Sequence, residues 1–238
     1  MKNFIKKKIQ SILYFIELNF KIKVANKSPI DIYMDQVTQE CYEFFKEDIN
    51  KSSTFVKDDD IRHYSISKAY NNKNNENNIF LEFGVYKGDS IKLFAKFLSQ
   101  YGLEIYGFDS FEGLEEDWVA SDYNPIGTFL LNKKNFKMPK NVRIIKGKIQ
   151  DTLDNFLNNN SSQKIIFTHM DMDTYTPTKY ALNKIKPFLQ KGSIILFDEL
   201  YGFPNWQHHE YKALKEVFNE KEYKYFAFGQ RQISIEIL

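Results

Sequence analysis

The chain has 238 residues, and its 33 Lys and Arg against 31 Asp and Glu give a formal net charge of only +2 at pH 7. This balance gives no reason to expect a polyanionic partner, so we predict no nucleic-acid binding. Cys41 is the single cysteine, which excludes an internal disulfide and a thiolate zinc cluster within one chain and agrees with a cytoplasmic protein.

The N-terminal extension, residues 1–70, is predicted to be helical, with a mostly helical pattern at 30–55. Residues 1–23 mix lysines with apolar residues at the spacing of an amphipathic helix. These apolar residues are Ile5, Ile9, Ile12, Leu13, Ile16 and Phe20. The segment is too short and polar to span a bilayer, and it lacks a clean signal-peptide cleavage site. We expect it to pack on the domain or on a second copy in a homo-oligomer; the alternative is peripheral contact with an anionic membrane.

The second predicted domain, residues 71–238, begins with a polar run at 71–78 that we expect to be a loop. Short apolar runs then alternate with helical patterns, which is typical of βαβ units and a parallel sheet. The predicted strands are 79–83, 104–108, 142–146, 165–169, 193–197, 223–228 and 232–238, and the helices are 90–98, 152–157, 178–189 and 210–218. The last two strands are too close for a parallel crossover, so they form an antiparallel hairpin if they pair. The sequence therefore predicts a doubly wound, mostly parallel seven-stranded α/β sheet with a C-terminal hairpin.

The first strand of this sheet ends in a turn at residues 82–90 with the pattern E-x-G-x-x-x-G, and Asp89 or Ser90 is predicted to cap the helix that follows. Glycines let a ligand approach the backbone, and open α/β sheets bind ligands outside the carboxyl ends of their strands. The pattern is not the G-x-G-x-x-G that binds a pyrophosphate, which favours a ligand without one. The alternative is an ordinary structural turn.

Acidic residues follow three other predicted strands. Asp109 ends the second strand, where its carboxylate can accept hydrogen bonds from both hydroxyls of a ribose or, alternatively, cap a loop. Asp171, Asp173, Asp198 and Glu199 follow the fourth and fifth strands. Carboxylates this close repel one another unless a cation or a base compensates them, and a magnesium ion with oxygen ligands would do so. Alternatively, some of them cap helices or bind an amino group.

An irregular segment at residues 114–140 is a candidate lid. Trp118, Tyr123 and Phe129 would then shield a ligand from water. The alternative is a packed surface excursion with its own short helix.

A second loop, residues 201–209, ends in His208 and His209, and either could act as a base near neutral pH. A histidine at the start of a helix is nevertheless more often structural. The loop also carries aromatic residues that either line an acceptor pocket or pack in the core: Tyr201, Phe203 and Trp206.

Together these segments resemble the class I S-adenosylmethionine-dependent methyltransferases, more narrowly the macrocin O-methyltransferase-like group, from about residue 80 to residue 238. The segments that carry the resemblance most specifically are 82–90, 107–113, 169–175 and 197–199. The resemblance implies a Rossmann-like fold and methylation of a hydroxyl on a sugar, a sugar nucleotide or another small molecule. Magnesium assists this reaction in the metal-dependent members.

The resemblance also implies roles for individual residues. The residues it assigns to the S-adenosylmethionine site are Glu82, Gly84, Tyr86, Gly88, Ser90, Asp109, Ser110, Gly147, Lys148 and Asp171. Asp171 is in addition a candidate general base, while Asp173, Asp198 and Glu199 match the positions that hold magnesium. Glu199 departs from the aspartate common in the sugar-modifying members, which puts metal dependence in question.

Three alternatives remain open. A nicotinamide-dependent oxidoreductase shares the sheet but should carry G-x-G-x-x-G, which this chain lacks. A non-catalytic partner subunit would have little need for the cluster of carboxylates. A methyltransferase could instead act on nitrogen or a carboxylate without metal, because the fold does not determine the acceptor.

Overall fold

A computed structural model describes residues 8–9, 11–15, 27–73, 77–131 and 137–238. The backbone is helical at 8–9 and 11–15, and the rest of the predicted amphipathic segment lies outside the described residues. The described chain divides into two compact units, one ending at Gln36 and one running from Val37 to Leu238. Within these ranges no helix has the length and apolar character needed to cross a membrane.

The helices confirm the predicted α/β alternation and bury one apolar face each. They are α1 (Pro29–Ile49), α2 (Asp58–Asn72), α3 (Asp89–Ser99), α4 (Ile149–Asn159), α5 (Tyr175–Ile185) and α6 (Glu210–Val217), with 3-10 turns at Lys186–Phe188 and Trp206–His208. In α3 the buried residues include Ile91, Phe94, Ala95 and Leu98, which recur at helical spacing.

One predicted helix boundary is wrong. The helix expected over 178–189 begins earlier, at Tyr175, and ends at Ile185. Pro187 explains this end, because it has no N–H to continue the helical ladder and its ring obstructs the preceding turn. Leu189 accordingly begins the next strand rather than ending the helix.

Ten strands form two sheets within the described ranges. The large sheet contains β1 (Ser53–Thr54), β2 (Asn78–Phe83), β3 (Ile105–Asp109), β6 (Val142–Lys146), β7 (Lys164–Met170), β8 (Leu189–Phe197), β9 (Tyr223–Phe228) and β10 (Ile233–Ile237). The small sheet is a hairpin of β4 (Trp118–Val119) and β5 (Tyr123–Asn124). The order in the large sheet is β1-β9-β10-β8-β7-β2-β3-β6, and only the two pairings of β10 are antiparallel.

This topology confirms the doubly wound sheet and the C-terminal hairpin. From β2 the chain builds β3 and β6 on one side of the sheet and β7 and β8 on the other. Ligands of open α/β sheets bind at the carboxyl ends of the strands beside such a switch point. The sheet has one strand more than predicted, because β1 is too short for any apolar periodicity to reveal it.

Apolar side chains cover both faces of the sheet. On one face, Leu81 and Phe83 of β2 belong to a cluster that includes residues of α4, α5 and α6. Phe80 belongs to a second cluster with residues of α2 and α3. Because alternate residues of a strand share a face, Glu82 lies on the same side of β2 as Phe80. An ionisable side chain is therefore buried beneath α2 and α3.

Candidate functional site

A cavity of about 280 Å³ opens at the carboxyl ends of the central strands, close to the lower end of the roughly 300–1,000 Å³ typical of small-molecule sites. Most of the predicted site residues line this cavity. They are Gly84, Tyr86, Asp109, Ser110, Gly147, Lys148, Asp171, Asp173, Asp198 and Glu199. Five strand ends thus converge on one space, as expected of a ligand site at a switch point.

The turn after β2 is packed directly against the end of β7. Gly84 has a φ of +85°, and a Cβ added there would lie 1.7 Å from the Asp171 carbonyl oxygen, so only glycine fits. The Gly84 N–H donates to the Phe108 carbonyl at 2.9 Å, and the Asp171 N–H donates to the Phe83 carbonyl at 2.8 Å. These contacts fix the strand ends of β2, β3 and β7 relative to one another.

Asp109 holds the same turn through its side chain. One carboxylate oxygen, Oδ2, accepts hydrogen bonds from the N–H groups of Val85 at 2.8 Å and Tyr86 at 2.7 Å. The other, Oδ1, accepts one from the Phe111 N–H at 2.6 Å. A carboxylate offers about four acceptor positions, so these three bonds leave room for about one ribose hydroxyl rather than the two expected.

Glu82, Gly88 and Ser90 do not line the cavity but support the turn from behind. The Ser90 hydroxyl donates to Glu82 Oε1 at 2.8 Å, and Glu82 is fully buried. Burial raises the pKa of Glu82, against the lowering effect of His169. Gly88, with a φ of +77°, is the N-cap of α3, so the predicted cap at Asp89 or Ser90 is wrong. Ser90 turns to Glu82 instead.

Two carboxyl groups on the cavity wall, those of Asp171 and Asp173, have raised pKa values. Burial, with the charges of Asp198 and Asp173, raises the pKa of Asp171. Burial, with the charges of Glu199 and Asp198, raises the pKa of Asp173 to about 8. Neither Asp171 nor Asp173 forms an ion pair with a residue that the structure describes. Their surroundings therefore suit a positively charged ligand.

The other two acids on this wall each have an arginine partner. Burial raises the pKa of Glu199 to about 7, opposed by Arg231, whose Nη1 lies 3.4 Å from Glu199 Oε1. Burial would also raise the pKa of Asp198, but His169 and Arg62 hold it well below its usual range. Arg62 Nη2 lies 2.7 Å from Asp198 Oδ1. The predicted acidic cluster is thus partly neutralised by the protein itself.

His169 and Arg62 do not line the cavity but contact its residue Asp198, and the sequence alone did not identify them. His169 is fully buried, with Nδ1 3.6 Å from Glu82 Oε2 and Nε2 3.2 Å from Asp198 Oδ1. Burial alone would lower the pKa of His169, but Asp198 and Glu82 together raise it. A signal was present, since Glu82 and His169 interrupt apolar strands and buried ionisable residues need partners. The two are register partners on β2 and β7.

A further buried acid, Glu210, lies at the start of α6. Its Oε2 accepts a hydrogen bond from the Glu199 N–H at 3.1 Å. Burial and the neighbouring acids raise the pKa of Glu210 well above its usual value. This residue fixes the backbone that follows β8.

Backbone strain is concentrated at the cavity. Tyr86, Phe129 and Asp173 have φ values of 45°, 69° and 59°, a left-handed region that is costly for residues other than glycine. All three line the cavity. Such strain tends to cluster at functional sites, which supports a ligand-binding role for this one.

The lid hypothesis receives partial support. Trp118 and Phe129 line the cavity, and Trp118 is buried in the wall that the hairpin β4–β5 provides. Tyr123 does not line it and is 63% exposed. Residues 132–136 of this segment lie outside the described residues.

The structure does not bring His208 and His209 to the cavity wall. His208 is exposed, whereas the ring of His209 stacks on Phe203 with its Nε2 3.4 Å from the Val119 carbonyl oxygen. Burial lowers the pKa of His209. The aromatic acceptor pocket expected from this loop is also absent from the described lining, because its rings pack in the core. These are Tyr201, Phe203 and Trp206.

A metal ion would find oxygen ligands in this cavity. Within the described chain, ligand atoms of His169, Asp171 and Asp198 lie within 4.8 Å of one another. The predicted ligands Asp173, Asp198 and Glu199 all line the cavity, although Glu199 also faces Arg231. Magnesium prefers carboxylates to imidazole, so Asp171 and Asp173, which form no ion pair with a described residue, fit it together with Asp198.

Comparisons with known proteins agree with this arrangement. A family model described as a methyltransferase domain matches residues 81–200. The structure is similar to CalS11, a calicheamicin methyltransferase, with a TM-score of 0.60 and 21% identity over 89% of this chain and 94% of that one. It is also similar to the O-methyltransferase NovP, with a TM-score of 0.53 and 16% identity over 87% of this chain and 99% of that one. No curated protein sequence matches.

Proposed function

Because this chain belongs to the methyltransferase-domain family, we propose that it transfers the methyl group of S-adenosylmethionine to a hydroxyl group of a sugar or sugar nucleotide. Family membership removes the oxidoreductase and the non-catalytic subunit from the alternatives. One observation carries the choice of methyl donor. The cavity is lined by a glycine turn at Gly84 and by two carboxyl groups, Asp171 and Asp173, that form no ion pair with a described residue. A sulfonium supplies the positive charge they lack.

The proposed donor site follows the cavity wall. The methionine part would lie along Gly84 and Asp171, the ribose beside Asp109, and the adenine near Lys148. Proximity supports this order, since all four residues line the same cavity and the strand ends that carry them are neighbours in the sheet. Asp109 would accept about one ribose hydroxyl and also keep the turn in the shape that the donor needs.

The acceptor is proposed to be a sugar hydroxyl. A second structure of CalS11, with a TM-score of 0.55 and 21% identity over 89% of this chain and 96% of that one, is described as a TDP-rhamnose 3'-O-methyltransferase. Trp118 and Phe129 add an apolar wall to the same cavity, and the indole N–H gives Trp118 a polar group as well, which suits a ligand that is partly apolar. Nitrogen or carboxylate acceptors remain the alternative, because the fold does not determine the acceptor.

The proposed reaction needs alignment and a place for one proton. The acceptor oxygen attacks the methyl carbon in line with the carbon–sulfur bond, which breaks as the new carbon–oxygen bond forms, and the sulfonium becomes a neutral thioether. The hydroxyl proton passes to a base, for which Asp171 is the candidate on the cavity wall. A magnesium ion, if bound, would be held by Asp173 and Asp198 and would lower the pKa of the acceptor hydroxyl.

Calorimetry with S-adenosylmethionine and S-adenosylhomocysteine, with and without magnesium, tests the donor site. The wild-type protein should bind both compounds, and Asp109→Ala should bind them at least about tenfold more weakly, because three hydrogen bonds to a charged group are lost. Asp154→Ala is the matched control, since the contacts of Asp154 with Lys184 and the Tyr180 hydroxyl are exposed and lie outside the cavity lining. Failure of the wild-type protein to bind either compound would refute the proposal, and unchanged affinity of Asp109→Ala would refute the role of Asp109.

Incubation with methyl-labelled S-adenosylmethionine and a panel of nucleoside-diphosphate sugars, including TDP-rhamnose, tests the acceptor. Label should appear on a sugar oxygen of at least one member. Donor binding without transfer to any sugar in the panel, but with transfer to an amine or a carboxylic acid, would favour the alternative acceptors.

A further inference from the structure

Asp198 is held by three donors that come from distant parts of the chain. Arg62 lies on α2, His169 on β7, and Gln232 directly before β10. Arg62 Nη2 donates to Asp198 Oδ1 at 2.7 Å, His169 Nε2 lies 3.2 Å from the same oxygen, and Gln232 Nε2 also donates to it. Three contacts therefore converge on one of the two carboxylate oxygens.

The other oxygen of Asp198 is left for a ligand. Across the described ranges, no residue donates a hydrogen bond to Asp198 Oδ2. The side chain is 17% exposed and lines the cavity. Because Oδ1 is tied to the protein, rotation of the carboxylate would break three contacts, so Oδ2 keeps one orientation.

The three donors are themselves fixed. The Arg62 side chain is only 16% exposed, and its Nη1 also lies 3.5 Å from Asp59. His169 is fully buried against Glu82, and Gln232 is 1% exposed. Side chains that are buried and that also contact other residues can hold a neighbouring reacting group in one orientation, whereas mobile surface side chains cannot.

We propose that Arg62 is a positioning residue which, with His169 and Gln232, holds the Asp198 carboxylate so that Oδ2 faces the reacting groups in the cavity. The inference rests on the proposed function, because it assumes that methyl transfer takes place there. Arg62 precedes residues 81–200, so the family match gives it no role. The contact joins α2 to the end of β8, since Arg62 reaches a residue 136 positions further along the chain.

Crystal structures of the wild type, Arg62→Met and Arg62→Lys, each with S-adenosylhomocysteine, test this role. In the wild type, Asp198 should show one orientation, with Oδ1 toward Gln232. Methionine keeps the apolar part of the side chain but removes the donor, so Asp198 should rotate or occupy several orientations. Lysine should restore the single orientation, since one donor atom of Arg62 makes the contact. A merely structural role of Arg62 would not predict this rescue.

Calorimetry on the same proteins separates this inference from the proposed function. Arg62→Met should bind S-adenosylhomocysteine about as well as the wild type, because Arg62 does not line the cavity. Arg143→Met is the control, since Arg143 pairs with Glu104 near the protein surface. If the wild type binds and Asp198 keeps its orientation in Arg62→Met, only the positioning role is refuted. If the wild type does not bind, the proposed function fails and the inference fails with it.

A second variant covers the case in which Arg62→Met does not fold. Gln232→Leu removes another donor to Asp198 Oδ1 and leaves an apolar side chain in a buried position. It should also release Asp198 from its single orientation. An unchanged Asp198 in a folded Gln232→Leu protein would overturn the proposed set of three donors.

Discussion

Replacement of Gly84 by alanine should destabilise the fold and abolish donor binding together. The φ of +85° alone costs a residue with a Cβ about 1–2 kcal/mol. The new Cβ would lie 1.7 Å from the Asp171 carbonyl oxygen, where ordinary contacts begin at 3.4 Å, so the two backbone segments must move apart. That movement strains the bonds from Gly84 N–H to Phe108 and from Asp171 N–H to Phe83. Each bond contributes about 1 kcal/mol, which brings the expected loss to about 3–4 kcal/mol.

Gly102→Ala is the matched control for this prediction. Gly102 also has a positive φ, +67°, but a Cβ added there would meet no atom within 4 Å, so only the backbone cost applies. Denaturant unfolding should show Gly84→Ala to be less stable than Gly102→Ala by about 2 kcal/mol, the share assigned to the two bonds. Calorimetry should show that only Gly102→Ala retains affinity for S-adenosylhomocysteine. Equal stability of the two variants, with binding retained in both, would refute the close approach of the two strand ends.

Three further outcomes follow from the packing and the cavity. S-adenosylhomocysteine should change the tryptophan fluorescence, because Trp118 lines the cavity. The Trp118→Phe variant should lose this change and the Trp206→Phe variant should keep it, since Trp206 is buried outside the cavity lining. The reverse pattern would contradict the position of the cavity. Phe45→Ala should lower the free energy of unfolding by about 3–5 kcal/mol, because Phe45 is fully buried among aromatic rings. Urea denaturation measures this loss, with Phe44→Ala as the control because Phe44 is about half exposed. Excess chelator should reduce methyl transfer and added magnesium should restore it, while full activity in chelator would remove the metal from the proposal.

The sheet could be predicted from the sequence because its signals are local. Buried parallel strands appear as short apolar runs, and the helices between them have an apolar face, so order and type follow from periodicity. The same periodicity predicts that Glu82 and Asp109 lie at strand ends. The hydrogen-bond partners of these residues could not be predicted without the fold, because Asp109 accepts hydrogen bonds from the backbone of Val85 and Tyr86, which follow a different strand. Periodicity says nothing about such contacts.

The roles of loop residues could not be predicted from the sequence for a different reason. A loop with Phe203, Trp206 and His209 has the composition of a binding pocket, but composition does not show which side of the loop faces the ligand. The direction in which Trp206 faces is set by its packing against α1, because the ring of Phe45 on that helix lies 5.5 Å from the ring of Trp206. The aromatic residues are therefore satisfied by core packing, and the cavity takes its aromatic wall from Trp118 instead.

The need for a metal is also smaller in the structure than the acidic pattern suggests. In the sequence the four carboxylates are equivalent, so their mutual repulsion predicts a divalent cation. In the fold, Arg62 pairs with Asp198 and Arg231 with Glu199, and neither arginine is near them in sequence. Asp171 and Asp173 form no ion pair with a residue that the structure describes, and the single positive charge of a sulfonium would favour their ionised forms. A glutamate at position 199 is consistent with this arrangement, because its side chain reaches Arg231.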